Sequence, residues 1–117
     1  MRRFTRYLVF VSLLAFGCKK ENILEGTPAC IVDKINQIKQ EAVWNPPAKV
    51  FRYEYKGQTV YYIPPRCCDV PSTLLDAQCN YLCAPDGGID GKGDGKCSDF
   101  FNARSGETLV WADSRRN

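Results

Sequence analysis

The sequence predicts a small α+β domain in which one N-terminal helix packs on a short antiparallel sheet with a central β-hairpin. Two observations predict this class: a segment with apolar residues at helical spacing, and a following segment in which apolar and polar residues alternate. A third is the number of cysteines, because small exported domains with a modest core are often held together by disulfides. A helix followed by strands and turns is typical of a sheet covered by helices.

The helix is expected from about Pro28 to Ala42, with Thr27 as its cap and Pro28 as its first residue. Its apolar face is expected to lie in the core rather than on a partner surface. This face consists of Cys30, Ile31, Ile35, Ile38 and Ala42.

The hairpin is expected from Lys49 to Ile63, with a two-residue turn at Lys56-Gly57 because glycine tolerates positive φ. The turn sets the pairs Tyr55 with Gln58, Tyr53 with Val60, and Phe51 with Tyr62. These aromatic residues share one face, which we expect to be core beneath the helix rather than an exposed platform. The other face is mixed and carries Val50, Arg52, Glu54, Thr59, Tyr61 and Ile63.

The chain after Pro64-Pro65 is expected to be rich in loops. It is expected to contain a short apolar stretch at Tyr81-Leu82, a helical turn from Asp99 to Ala103 and a last strand from Thr108 to Trp111. The predicted sheet then has four strands.

Residues 1–17 are typical of a signal peptide, because Arg2, Arg3 and Arg6 precede an apolar run. The run is about half as long as a membrane-spanning helix needs to be. Its end, Leu14-Ala15-Phe16-Gly17-Cys18, resembles the lipobox of bacterial lipoproteins. The resemblance implies cleavage before Cys18, acylation of Cys18 and anchoring in a membrane. A secretory peptide that happens to contain a cysteine is the alternative.

Residues 18–27 would then form a lipidated tether, and 28–117 a single globular domain. Lys19 follows the cysteine where lipoproteins kept in an inner membrane carry Asp, so the resemblance implies the outer membrane. Whether the domain faces the periplasm or the outside stays open.

The seven cysteines are an odd number for an exported chain, and a thioether at Cys18 leaves six that can pair. Six cysteines allow fifteen connectivities, and the sequence does not choose among them. Cys67 and Cys68 would point to opposite sides of an extended chain, and Cys79 and Cys83 would lie roughly 13 Å apart on a strand, so both are poor pairs. Among the connectivities that remain open, we expect Cys30–Cys67, Cys68–Cys79 and Cys83–Cys97. A zinc site is disfavoured, since the sequence has no Cys-x-x-Cys pair.

The segment 86–97 is dense in glycine and aspartate. Asp90 and Asp94 are weak calcium candidates, because they would occupy the first and fifth positions of an EF-hand-like loop. Lys92 and Phe101 stand where that loop needs oxygen ligands. A conformational glycine loop is therefore the favoured interpretation, and no cofactor is expected.

Catalysis and nucleic-acid binding are both disfavoured by composition. The sequence has no histidine, and nothing selects a pair among its carboxylates, for which Glu54, Asp69, Asp76 and Asp99 are candidates. Arg2, Arg3 and Arg6 account for the whole formal net charge of +3, so the mature domain is neutral. We therefore expect a protein that is not an enzyme.

Several motifs between Cys30 and Asp113 resemble an uncharacterised family of small cysteine-rich bacterial lipoproteins, classed as a domain of unknown function. They are Val43-Trp44-Asn45-Pro46-Pro47, Tyr53-Glu54-Tyr55, Tyr61-Tyr62-Ile63-Pro64, Cys67-Cys68-Asp69, Pro85-Asp86-Gly87-Gly88 and Gly93-Asp94-Gly95-Lys96-Cys97. The resemblance implies a shared compact fold and a lipoprotein address, and it brings no known activity. The stretch from Tyr81 to Gly87 has a fainter similarity to Kazal-type protease inhibitors.

The expected function is a non-enzymatic binding or accessory module of the cell envelope, anchored through Cys18, with a protein or glycan as its ligand. The alternatives are a protease inhibitor that presents a disulfide-braced loop near Cys83, and a calcium-stabilised structural protein.

Overall fold

A computed structural model describes residues 22–116, so the predicted signal segment, Cys18 and the first part of the predicted tether lie outside the described residues. Among residues 22–116, no helix is long and apolar enough to cross a membrane. The elements in chain order are α1 (Ala29–Gln40), β1 (Lys49–Tyr55), β2 (Gln58–Ile63), β3 (Thr73–Asp76), β4 (Tyr81–Cys83), α2 (Phe100–Ala103) and β5 (Ser105–Ala112).

The five strands form one antiparallel sheet in the order β4-β3-β2-β1-β5, which confirms the α+β class and the central hairpin. The Lys56-Gly57 turn produces the expected register, with Tyr55 opposite Gln58 and Phe51 opposite Tyr62. Strand β3 is the element that the four-strand prediction lacked. It has only four residues and shows no clear alternation, so its pairing with β2 gives it strand structure.

Helix α1 is shorter than expected at both ends. The Thr27 hydroxyl donates to the Leu24 carbonyl at 2.6 Å instead of capping the helix, and Pro28 precedes the first helical residue. The three isoleucines of the predicted stripe are buried, whereas Ala42 lies beyond the helix and is exposed. Ile23 and Leu24, which the sequence assigns to the tether, pack against the same core.

The sheet has a core on each of its faces, and this differs from the expected single layer. Helix α1 covers the mixed face, where its isoleucines contact Val50, Tyr61 and Ile63. The aromatic face is buried as predicted, but its cover is Phe100 of α2 together with Cys83 and Cys97. The expected placement of α1 over the aromatic face is therefore wrong, because the chain after β4 returns across that side.

The six described cysteines form three disulfides. Cys83 pairs with Cys97 as expected, but Cys30 pairs with Cys79, and Cys67 pairs with its neighbour Cys68. The two other expected pairings are wrong because they assumed an extended chain at 67–68. This segment is a turn, closed by reciprocal backbone hydrogen bonds of 3.3 Å between Arg66 and Val70.

Candidate functional site

In the glycine-rich loop, residues 86–97, two aspartates accept hydrogen bonds within local turns. The Asp90 carboxylate accepts the Lys92 backbone N–H at 2.9 Å. The Asp94 carboxylate accepts the Lys96 N–H at 3.0 Å and the Tyr81 hydroxyl at 2.8 Å, and the Lys96 N–H lowers the pKa of Asp94. Within residues 22–116, no three cysteine, aspartate or glutamate side chains converge as a metal site. Calcium binding by Asp90 and Asp94 stays a prediction.

The two residues that follow Cys83, Ala84 and Pro85, are buried, and Ala84 is only 2% exposed. The Ala84 carbonyl accepts the Asp94 N–H at 3.0 Å, which holds the segment against the glycine loop. A protease would need this backbone to be accessible, so the geometry does not favour the inhibitor hypothesis.

Carboxylates near the aromatic face accept hydrogen bonds from its tyrosines. The Tyr62 hydroxyl donates to Asp86 at 2.7 Å, and the Tyr55 hydroxyl donates to Asp99. Burial raises the pKa of Tyr62 far above its ordinary value and raises the pKa of Tyr53 to about 12. These raised pKa values keep the hydroxyl groups protonated, and the groups donate hydrogen bonds to the neighbouring carboxylates.

The candidate carboxylates are occupied by different partners. Asp76 accepts the backbone N–H groups of Gln78 and Asn80, whereas Glu54 accepts the Thr59 hydroxyl. Asp69 lies exposed in the turn after the Cys67–Cys68 disulfide. The hydrogen bonds therefore do not select an acid–base pair.

A groove of about 220 Å³ lies at the open end of the hairpin, where β1 begins and β2 ends. Its walls come from the linker between α1 and β1 and from the prolines after β2. The lining residues are Trp44, Pro46, Pro47, Ala48, Lys49, Phe51, Pro64 and Pro65. Proline has no backbone N–H and a fixed φ, so these four prolines lie outside the sheet ladder and make stiff walls.

Two backbone hydrogen bonds hold the linker in place. The Asn45 carbonyl accepts the Cys67 N–H at 2.7 Å, which ties the linker to the segment that follows Pro65. The Ala48 carbonyl accepts the Asp113 N–H at 2.8 Å, which ties it to the end of β5. The groove is therefore built on backbone that the sheet positions.

Trp44 is fixed by two polar neighbours. Its indole N–H donates to the Glu41 carboxylate at 2.7 Å, and the guanidinium Cζ of Arg66 lies 3.7 Å from its ring centroid. Arg66 Nη1 is 3.9 Å from Glu41, so the three side chains form one cluster. Trp44 is half-buried and belongs to neither core, although it packs against the core beneath α1.

Trp44 and Pro64 also line a second, adjoining groove of about 150 Å³. Its other lining residues are Lys34, Ile63, Arg66, Val70, Pro71 and Thr73. The charged side chains that line the two grooves are Lys34, Lys49 and Arg66. We call the two grooves together the Trp44 groove, an apolar surface with a cationic rim.

Sequence reasoning did not predict this groove. The available signal was a tryptophan followed closely by two prolines in a segment that belongs to no periodic element. The partner prolines lie about twenty residues further along the chain, and only the register of the hairpin brings them to the same end of the sheet.

A family model described as a domain of unknown function (DUF6970) matches residues 36–113. The chain belongs to this family. The DUF6970 match begins within α1 and includes all five strands, every residue that lines the Trp44 groove except Lys34, and every described cysteine except Cys30. No curated protein and no solved structure matches the chain.

Proposed function

We propose that the protein is a lipid-anchored, non-enzymatic binding module of the cell envelope and that the Trp44 groove is its binding site. The observation that carries this proposal is the groove itself, a preformed apolar depression with a few polar groups at its rim. Ligand sites commonly have this character. Stiff walls also lower the entropy that binding would cost.

The anchor in this proposal is an acyl group on Cys18, and its support is the signal-like segment that ends at Gly17-Cys18. The Leu24 N–H donates to the Val110 carbonyl at 2.9 Å, so the chain is already attached to the domain at that point. A fully extended chain spans at most about 3.5 Å per residue, so the anchor would hold the domain within roughly 20 Å of the membrane. An outer membrane is the proposed location.

The anchor is tested by the intact mass of the protein extracted from its own membranes. A chain that begins at Cys18 and carries two or three acyl groups is the expected result. A chain that begins at Cys18 without an acyl group, or one that retains residues 1–17, would overturn the anchor and leave the groove untouched.

The binding role is tested by photocrosslinking in the native cells. The photoreactive residue benzoylphenylalanine replaces Pro47, which is exposed at the groove, or Lys56, which is exposed at the hairpin turn. Strand β1 separates these positions by about 20 Å at 3.3 Å per residue. We expect a discrete adduct from Pro47 that the Lys56 position does not give. The same adducts from both positions, or none from Pro47, would refute the proposal.

A further inference from the structure

We propose that the Trp44 groove binds an extended, proline-containing peptide segment that carries acidic side chains. This inference rests on the binding role proposed above and names the class of ligand. Three features of the groove carry it: the shape and stiffness of its walls, the kind of polar atoms at its rim and the charge of that rim.

The walls suit an extended chain. Grooves lined by aromatic residues bind proline-rich segments in the polyproline II conformation, and these segments are already extended and lose little entropy on binding. Trp44 and Phe51 supply the aromatic surface, and Pro64 and Pro65 supply the facing wall. Leu109 extends this surface, because it is half-exposed and lies opposite Phe51 in the register of β1 with β5.

The polar atoms at the rim suit carboxylates better than sugar hydroxyl groups. Lysine and arginine side chains donate hydrogen bonds and cannot accept them. Lys34, Lys49 and Arg66 are of this kind, and the described lining residues include no aspartate, glutamate, asparagine or glutamine. The nearby Glu41 carboxylate already accepts the Trp44 indole N–H. A neutral glycan would therefore find few side-chain acceptors for its hydroxyl hydrogens.

Arg66 is the rim residue best placed to take a carboxylate. Its side chain is 31% exposed, it stacks on Trp44, and its contact with Glu41 is long at 3.9 Å. Its buried Nε has no hydrogen-bond partner among the described residues. Arg115, in contrast, makes hydrogen bonds to Asp113 and to three backbone carbonyls. The Nε is too buried to meet a ligand, but the exposed end of the Arg66 guanidinium has only the long contact with Glu41, and a carboxylate forms short, charge-assisted bonds with such a group.

The test measures fluorescence anisotropy of labelled peptides with the purified full-length protein in detergent micelles. The probes are Pro-Pro-Asp-Pro-Pro-Asp and two relatives in which asparagine or lysine replaces aspartate. We expect the aspartate peptide to bind about tenfold tighter than the asparagine peptide, since each of two charge contacts contributes about 0.7 kcal/mol. The lysine peptide should bind more weakly still, because its charges repel the cationic rim. Added salt should reduce the difference.

Charge-reversal variants locate the effect. Lys49→Glu should lower the affinity for the aspartate peptide about threefold or more and bring it closer to the affinity for the lysine peptide. Lys56→Glu is the matched control, because Lys56 is also exposed and lies just beyond the other end of β1, where it is 3.5 Å from Asp99. It should leave the affinity unchanged. Circular dichroism melting curves establish that each variant is folded.

Equal affinity for the three peptides, or an equal effect of Lys49→Glu and Lys56→Glu, would overturn the acidic preference. Binding of an N-acetylglucosamine oligomer in the absence of peptide binding would overturn the peptide class. If no probe binds, the inference fails, and the proposed function is then judged separately by the in-cell adduct from Pro47.

Discussion

The Arg66 guanidinium lies 3.7 Å from the centroid of the Trp44 ring, and this stack forms part of a groove outside both cores of the sheet. Exposed cation–π contacts contribute about 0.5–1 kcal/mol, so the stack stabilises the fold only slightly while it holds the tryptophan in one position. Prearranged aromatic surface of this kind favours recognition over stability.

Replacing Arg66 should free the Trp44 ring without unfolding the domain. We expect Arg66→Ala to increase acrylamide quenching of Trp44 fluorescence and to lower the free energy of unfolding by about 1 kcal/mol. The second tryptophan, Trp111, is 5% exposed and should remain protected, so Trp111→Phe supplies a background with one emitter. Unchanged quenching in Arg66→Ala would mean that the stack does not order the ring.

Asp113 and Arg115 join the chain's C-terminal segment to the end of α1. The Asp113 side chain is 1% exposed and lies 2.8 Å from the Arg115 guanidinium, which also donates to the carbonyls of Ile38, Lys39 and Glu41. We expect Asp113→Asn to lower the free energy of unfolding at pH 7 by about 2 kcal/mol, the usual contribution of hydrogen bonds to a charged group. Urea unfolding measures this. Asp33→Asn, at an exposed position of α1, is the control and should change little.

The same pair predicts a pH dependence. Hydrogen bonds from Arg115 hold the pKa of Asp113 below its ordinary value, so the unfolded state takes up a proton first as the pH falls. The stabilisation is therefore complete above about pH 5 and is lost progressively below about pH 4. The difference between the wild type and Asp113→Asn should shrink when urea unfolding is repeated at pH 3. A constant difference would contradict the role of the ionised carboxylate.

Gly93 and Gly91 form a matched pair in the glycine-rich loop, because both have positive φ. A Cβ at Gly93 would overlap the Ala84 carbonyl, whereas a Cβ at Gly91 meets nothing within 4 Å. Gly91→Ala should cost about 1 kcal/mol for its backbone conformation, and Gly93→Ala about 3 kcal/mol or more. Urea unfolding of the two variants compares them. Equal losses would mean that the loop is not packed on the segment after Cys83.

The three disulfides should differ in their resistance to reductant. Cys67 and Cys68 are exposed, whereas Cys83 and Cys97 are 3% and 5% exposed in the core beneath α2. Thiolate attack requires access to a sulfur atom. With increasing dithiothreitol, followed by alkylation and peptide mass analysis, Cys67 and Cys68 should react first and Cys83 and Cys97 last. The reverse order would contradict the exposed position of Cys67 and Cys68.

The correct sequence predictions were those set by local chemistry. Lys56-Gly57 fixes the hairpin because one glycine and strict alternation determine both turn and register. The cover of the aromatic face could not be foreseen, because it depends on Phe100 in a four-residue helix that packs through tertiary contacts. The pairing of Cys67 with Cys68 depends on a turn that has no periodic signal.

The Trp44 groove could not be predicted from the sequence either, because separate segments of the chain form its walls. Trp44 and Pro47 are close in sequence, but Pro64 and Arg66 join them only because β2 runs antiparallel to β1. Such a site is created by topology, and single-sequence patterns report local structure.

The most direct measurement is the two-dimensional ¹H–¹⁵N NMR spectrum of the tryptophan indole groups during titration with Pro-Pro-Asp-Pro-Pro-Asp. The protein has two tryptophans, with Trp44 at the groove and Trp111 buried. We expect a saturable shift of the Trp44 resonance and little change in the Trp111 resonance. A Trp44 resonance that stays in place throughout the titration would contradict the groove as the site for acidic, extended peptides.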